Sequence, residues 1–231
     1  MQKLVEGIHR FKNHVFASEK DFYASLVNGQ SPETLFITCS DSRINPNLLT
    51  QTGPGELFIL RNAGNIVPPY GSVHGGEAAT IEYAVAVLNV RDIVVCGHSH
   101  CGAMEGLVTG KTHNDLPAVH AWLRYAEATR LIMKENYPHL ASTDGGPSRE
   151  LINATVQENA LVQLEHLETH PVVTARLARR KLRLHAWFYK IDTAEVFHFD
   201  GKEGQYKLLT AITGDTAAAS VPEGRSRAAA I

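Results

Sequence analysis

The chain has 231 residues, 44% of them hydrophobic, with 22 Lys and Arg against 24 Asp and Glu for a formal charge of -2. That length and apolar share suit one sizeable core, and the balanced charge argues against a general nucleic-acid or membrane-surface binder. No apolar stretch approaches the roughly 20 residues that span a bilayer, the charged start lacks an apolar leader, and three cysteines make no disulfide framework, so a cytoplasmic protein with free thiols is expected.

Residues 2–17 put Leu4, Val5, Ile8, Phe11, Val15 and Phe16 at helical spacing, which predicts an amphipathic N-terminal helical arm. A second helix is expected from Ser18, a candidate N-cap, to about Val27. The turn NGQSP at 28–32 closes it. The apolar runs at 35–38, 57–60 and 92–96 read as buried strands, with a helix expected between the last two at about 75–88. Helix-period apolar positions recur at 115–135 and 149–168, with a loop at 142–147 between them. Pro171 opens a further helix to about Ala178. Segments 184–191 and 195–199 read as strands joined by a turn at Asp192 and Thr193.

Strands without polar alternation, separated by helices, indicate an α/β protein. The expected sheet is mainly parallel, four- to five-stranded and flanked by helices on both faces. Residues 1–210 are expected to form a single catalytic domain. Residues 211–231, small and polar with few apolar anchors, are expected to be a mobile tail.

Two motifs carry chemistry. CSDSR at 39–43 follows the run 35–38, and CGHSHCG at 96–102 overlaps the end of the run 92–96. Ligand sites in open parallel sheets lie beyond the carboxyl ends of the strands, so one site can receive both motifs. Zinc favours thiolate and imidazole ligands, and three protein ligands with a fourth open position is the pattern of catalytic zinc. Cys39, His98 and Cys101 fit that pattern. Spacing alone equally admits a loop histidine and a buried cysteine packed as a small hydrophobe. Cys96 lies inside an apolar strand and reads as the core cysteine. His100 alternates with His98 and is expected to point elsewhere. Asp41 and Arg43, two apart in an extended segment, can project to one side and pair, which keeps the carboxylate ionised. The same pair could equally be an ion pair closing the turn before Pro46.

Together these segments resemble the β-class carbonic anhydrases, on the cyanobacterial and plant-like branch. The resemblance rests on CSDSR at 39–43, PGELFILRNAGNIVPPYG at 54–71, GGEAATIEYAV at 75–85, CGHSHCG within 93–107, and LHAWFYKIDTAEVFHFD at 184–200. It implies one zinc ion per subunit on Cys39, His98 and Cys101, with Asp41 and Arg43 as an orienting dyad. It implies substrate-pocket roles for Gln30, Phe58, Ala63, Tyr83 and Gly102, with Phe58 and Tyr83 supplied by a second subunit of a homodimer or tetramer.

The implied reaction is reversible hydration of carbon dioxide to bicarbonate and a proton by a zinc-bound hydroxide. Two thiolate ligands imply activity that favours alkaline pH. Gated members of the family carry a tryptophan three residues before the first cysteine ligand, where this chain has Phe36. An open site is therefore expected, with Asp41 on Arg43. The rival readings are a carbon disulfide or carbonyl sulfide hydrolase with the same metal site, and a non-catalytic zinc scaffold or bicarbonate-sensing subunit.

Overall fold

A computed structural model describes residues 1–72, 75–110, 115–140 and 146–210. Most of the loop expected at 142–147, and the tail expected at 211–231, lie outside them.

The first helical segment, α1 (Gln2–Arg10), runs on through a wider helical stretch at Phe11–Phe16. Ser18 does not cap the next helix. Its hydroxyl donates back to the carbonyls of His14 and Val15, so it ends the arm, and α2 (Lys20–Leu26) begins two residues later. Neither helix contains a buried residue, and Leu4 and Ile8 are 64% and 65% exposed.

The sheet is built from β1 (Thr34–Cys39), β2 (Leu57–Asn62), β3 (Asp92–His98), β4 (Arg183–Tyr189), β5 (Val196–Asp200) and β6 (Gln205–Leu208). Their order is β2-β1-β3-β4-β5-β6. The first four strands are mutually parallel, and β5 and β6 return antiparallel. The sheet therefore carries six strands rather than four or five. β6 is four residues long with no buried position, so its sequence carries no core signal.

The helices between the strands are α3 (Pro46–Thr50), α4 (Gly76–Glu82), α5 (Gly102–Thr109), α6 (Pro117–Leu123), α7 (Glu127–Asn136), α8 (Arg149–Glu168) and α9 (Pro171–Ala178). The helix expected at 115–135 is thus two helices, broken by a tight turn at Arg124–Ala126. Asn45 caps α3 by accepting from the Leu48 N–H at 3.3 Å, with Pro46 in the first turn. Ser148 caps α8 in the same way at 3.0 Å.

Alternation along the strands decides the two faces. Leu35, Ile37, Ile93, Val95, Leu184 and Ala186 point into the main core, where α8 contributes Ala160, Leu161 and Leu164. Phe36, Val94, Cys96 and Trp187 point the other way. α3 supplies the helical cover of the second face through Leu49. On the second face Ile44 and Leu49 cover part of the apolar patch, beside a groove of about 370 Å³ lined by Phe36, Leu57, Val94, His185 and Trp187 among others.

α8 can lie close on β3 because residue 97 is glycine. A Cβ there would overlap Val156 Cγ1. Gly97→Ala is expected to cost about 1–3 kcal/mol through this overpacking. An unchanged denaturant midpoint would show that α8 is free to shift.

Candidate metal centre

Cys39 is the last residue of β1, and His98 is the last of β3. Cys101 is the N-cap of α5, three residues further on. β1 pairs directly with β3, Thr38 opposite Cys96, so the two strand ends emerge side by side. The Sγ atoms of Cys39 and Cys101 and a His98 ring nitrogen all lie within 4.8 Å of one another, and all three residues are buried. His100 does not join them. It takes a left-handed conformation, φ 58°, and its carbonyl accepts from Arg43 Nη2 at 3.0 Å.

The donor set fits a soft divalent cation. His98 Nδ1 lies 2.9 Å from the Ser99 carbonyl, which can only accept. Nδ1 therefore carries the proton, and the lone pair is on Nε2. That Nε2 is fully buried and has no hydrogen-bond partner. A buried acceptor left without a donor is costly unless a cation takes its lone pair. The sulfurs make the same point. Cys39 is drawn down to about 4, chiefly by the Cys101 thiol beside it, against the opposing effect of burial, with further help from the Gly64 N–H. Cys101 is pushed up by the Cys39 anion and by burial. A cation between the two sulfurs removes the repulsion that keeps the second one protonated. Cys96 stands apart in the core, its thiol pushed up by burial alone.

Asp41 and Arg43 form the expected pair. Arg43 Nε donates to Asp41 Oδ1 at 2.9 Å, and Nη2 to Oδ2 at 2.7 Å. The Arg43 backbone N–H adds a third bond to Oδ1 at 2.9 Å. These bonds hold the Asp41 carboxyl well below the usual carboxylate range. Its Oδ2 stands 3.7 Å from His98 Nε2, so the dyad faces the cluster.

The match to known proteins spans the segment that holds these residues. The family model described as carbonic anhydrase matches residues 34–196. A carbonic anhydrase of Synechocystis sp. is 48% identical over 202 residues, covering 87% of this chain and 72% of that protein. One from Pseudomonas aeruginosa is 44% identical over 209 residues, covering 90% and 92%. The solved structure of the β-carbonic anhydrase CcaA has a TM-score of 0.86 to this chain at 46% identity, covering 90% of this chain and 99% of that one.

The chain belongs to the β-class carbonic anhydrases. It is a zinc-dependent carbonate dehydratase, and its reaction is the reversible hydration of carbon dioxide. The family uses zinc, and the Cys-His-Cys group is the one such cluster found among the described residues.

The pocket residues that the resemblance implied divide between two ends of this carbonic anhydrase. Ala63 and Gly102 sit at the carboxyl ends, beside the cluster. Phe58 is in register with Leu35 at the other end of β1, whereas Cys39 is in register with Asn62. Tyr83 keeps company with Phe58, their rings 6.0 Å apart, and is 46% exposed. Gln30 is exposed in the segment that precedes β1. Four strand steps of about 3.3 Å each, from the level of Leu35 to that of Cys39, separate Phe58 from the cluster in the same chain.

Motif reading missed Arg61. From β2 its Nε donates to the Cys39 carbonyl at 3.0 Å, and its Nη2 to the carbonyls of Asp41 at 2.7 Å and Ile44 at 3.0 Å. It ties down the loop that carries the dyad. Only the run RN before AGN hinted at it, and nothing in spacing marks a clamp. Arg61→Met is expected to lower stability by about 1–2 kcal/mol in urea unfolding. Arg61→Lys should recover less than half of that, because one ammonium cannot copy the fork. A wild-type midpoint for Arg61→Met would refute the clamp.

Proposed function

We propose that Cys39, His98 and Cys101 hold one zinc ion per subunit, and that Asp41 and Arg43 orient the attacking water in carbon dioxide hydration. The observation that carries this is the orphaned His98 Nε2 beside two paired sulfurs, faced by an Arg43-clamped carboxylate. Zinc bound there supplies a Lewis acid that lowers the pKa of water from 15.7 towards about 7.

The remaining work falls to the chain itself. Asp41, kept ionised by Arg43, is an acceptor only, so it takes a hydrogen bond from the attacking O–H and aims the oxygen lone pair away from itself. Arg43 cannot swing freely, because its Nη2 also holds the His100 carbonyl. Ser99 fixes the His98 tautomer. Ala63 and Gly102 line the carbon dioxide side, against an apolar cluster that includes Ile66, Met104 and Phe188. That cluster keeps bulk water from the reacting centre.

Gln30, Phe58 and Tyr83 serve the site of a second copy in this reading. Two observations support an oligomer. The arm exposes Leu4, Ile8 and Phe11, and the second sheet face is open. The two solved β-carbonic anhydrases of Sordaria macrospora are tetrameric. One has a TM-score of 0.76 at 28% identity, covering 85% of this chain and 95% of that one. No helix among the described residues is long and apolar enough to cross a membrane. We take residues 1–210 as one catalytic domain and the cytoplasm as its location.

Asp41→Ala is expected to lower hydration at least about a hundredfold, the scale of a lost proton-positioning group. Metal analysis should still find one zinc per subunit. Hydration that survives in the zinc-loaded variant would sink the dyad role. Charging the arm with Ile8→Glu and Phe11→Glu should shift the sedimentation velocity towards a monomer and reduce activity with it. An active monomer would remove the shared site.

A further inference from the structure

One peptide unit, Ala63–Gly64, joins the metal cluster to the helical layer. No cis peptide bond occurs among the described residues, so this unit's carbonyl and N–H point in opposite directions. The N–H, on Gly64, donates to Cys39 Sγ at 3.4 Å. The carbonyl, on Ala63, accepts from the Trp122 indole N–H at 2.8 Å. We infer that Trp122 is a positioning residue of the zinc site, acting on Cys39 through the Ala63–Gly64 peptide. The inference rests on the reading of Cys39 as a zinc ligand.

Three features of the geometry carry it. First, the Trp122 indole is the side chain that bonds this peptide's own carbonyl. Gly64 has φ 77°, a conformation glycine adopts freely, so the plane turns easily if its carbonyl is released. Second, the peptide is wedged where only glycine fits. A Cβ at residue 64 would stand 2.9 Å from Met104 Cε and 3.1 Å from Ala103 Cβ, both on α5, which starts beside Cys101. Third, the following peptide is held as well, because Asn159 Nδ2 donates to the Gly64 carbonyl at 3.0 Å. Trp122 and Asn159 thus grip the two peptides that flank Gly64.

The chemistry follows from the direction of the bonds. A donor on a peptide carbonyl polarises the whole amide and strengthens the bond its N–H makes. An N–H bonded to a thiolate draws charge from the sulfur and so moderates what it gives to a metal. Outer-shell partners of ligands tune affinity in this way. Trp122 also packs, edge-on to Tyr125 with rings 5.7 Å apart and against the cluster around Cys39 and Cys101. A packing role needs the ring alone, whereas positioning needs the N–H.

The test separates ring from N–H. Trp122→Phe keeps an aromatic ring without the donor. Site-specific replacement of Trp122 by its benzothiophene analogue keeps the full shape with sulfur in place of N–H, and serves if the phenylalanine variant does not fold. Zinc affinity is measured by chelator competition, and the thiolate-to-metal charge-transfer band by absorption of the cobalt-loaded protein. Zinc binding is expected to weaken about tenfold, because the released Ala63–Gly64 peptide no longer holds the Cys39 sulfur in its ligating position, a loss that outweighs the sulfur's increased donation. The band is expected to move to longer wavelength, because a sulfur relieved of its N–H partner gives up charge more easily. Affinity within about twofold of wild type together with an unmoved band in the analogue would overturn the relay and leave the ligand reading standing. Cys39→Ser with wild-type zinc affinity would overturn the ligand reading, and the relay with it.

Discussion

The parallel pairing of β1 with β3 is the constraint from which the site follows. In that register Thr38 faces Cys96, and the Thr38 hydroxyl donates to the Cys96 carbonyl at 2.8 Å near the point where both strands end. Cys39 then emerges on the helical side, next to the chain leaving His98. A slip of one residue would send Cys39 to the opposite face of the sheet and leave His98 with one sulfur. The topology opens the space in which they meet. β2 lies on one side of β1 and β3 on the other, so the crevice at the carboxyl ends of β1 and β3 is a switch point with no loop crossing it. Gly97 completes the arrangement by letting α8 close over β3.

Around this crevice the chain uses its backbone as much as its side chains. Arg61 binds three carbonyls of the loop 39–44, and Arg43 binds one more at His100. The two arginines therefore do different work. One holds the loop in place, and the other holds the carboxylate within it. On the opposite wall, residues 64–68 are held by polar side chains of the buried helix α8 and by His170, two residues beyond its end. Asn159 holds the Gly64 carbonyl, Gln163 accepts from the Val67 N–H at 2.8 Å, and His166 and His170 reach the carbonyls of Val67 and Pro68. This explains a feature of α8 that packing leaves odd. Thr155, Asn159 and Gln163 are fully buried in a helix whose neighbours are apolar. Buried amides of this kind are stable only when satisfied, and here the loop satisfies two of them.

The legible part of the sequence was the part with a period or a motif. Runs such as LFIT and IVVC announce strands buried on both faces, and CSDSR and CGHSHCG stand where such strands end. What was not legible depends on pairings between distant segments. β6 has no buried residue, so no apolar period marks it. Ser18 looks like a cap because serine before a helix usually is one, yet its hydroxyl turns back to the preceding turn. The second sheet face is as apolar as the first, and α3 covers only part of it. Apolar character gives the demand for a cover and does not say which chain supplies it. Arg61 and Trp122 act through carbonyls of residues 17 to 59 positions away, and sequence spacing carries no trace of such bonds.

The split of the pocket residues sharpens the proposed assembly. Within one chain, Ala63 and Gly102 stand at the carboxyl ends of the strands, and Phe58, Tyr83 and Gln30 stand at the other end. Three dispersed residues at the far end serve no purpose for the local cluster. They become intelligible if the far end of one copy abuts the crevice of another. A two-fold axis makes such an exchange reciprocal, since a surface that gives to its partner receives the same surface back. β2 supplies the geometry. It is an edge strand, its residues are half-buried apart from exposed Arg61, and it carries Phe58 near one end and Asn62, next to Ala63, at the other. An antiparallel approach of two such edges around a two-fold axis sets each Phe58 towards the other copy's Ala63. The same strand that clamps the dyad loop through Arg61 would then also bring the partner's aromatic wall to it.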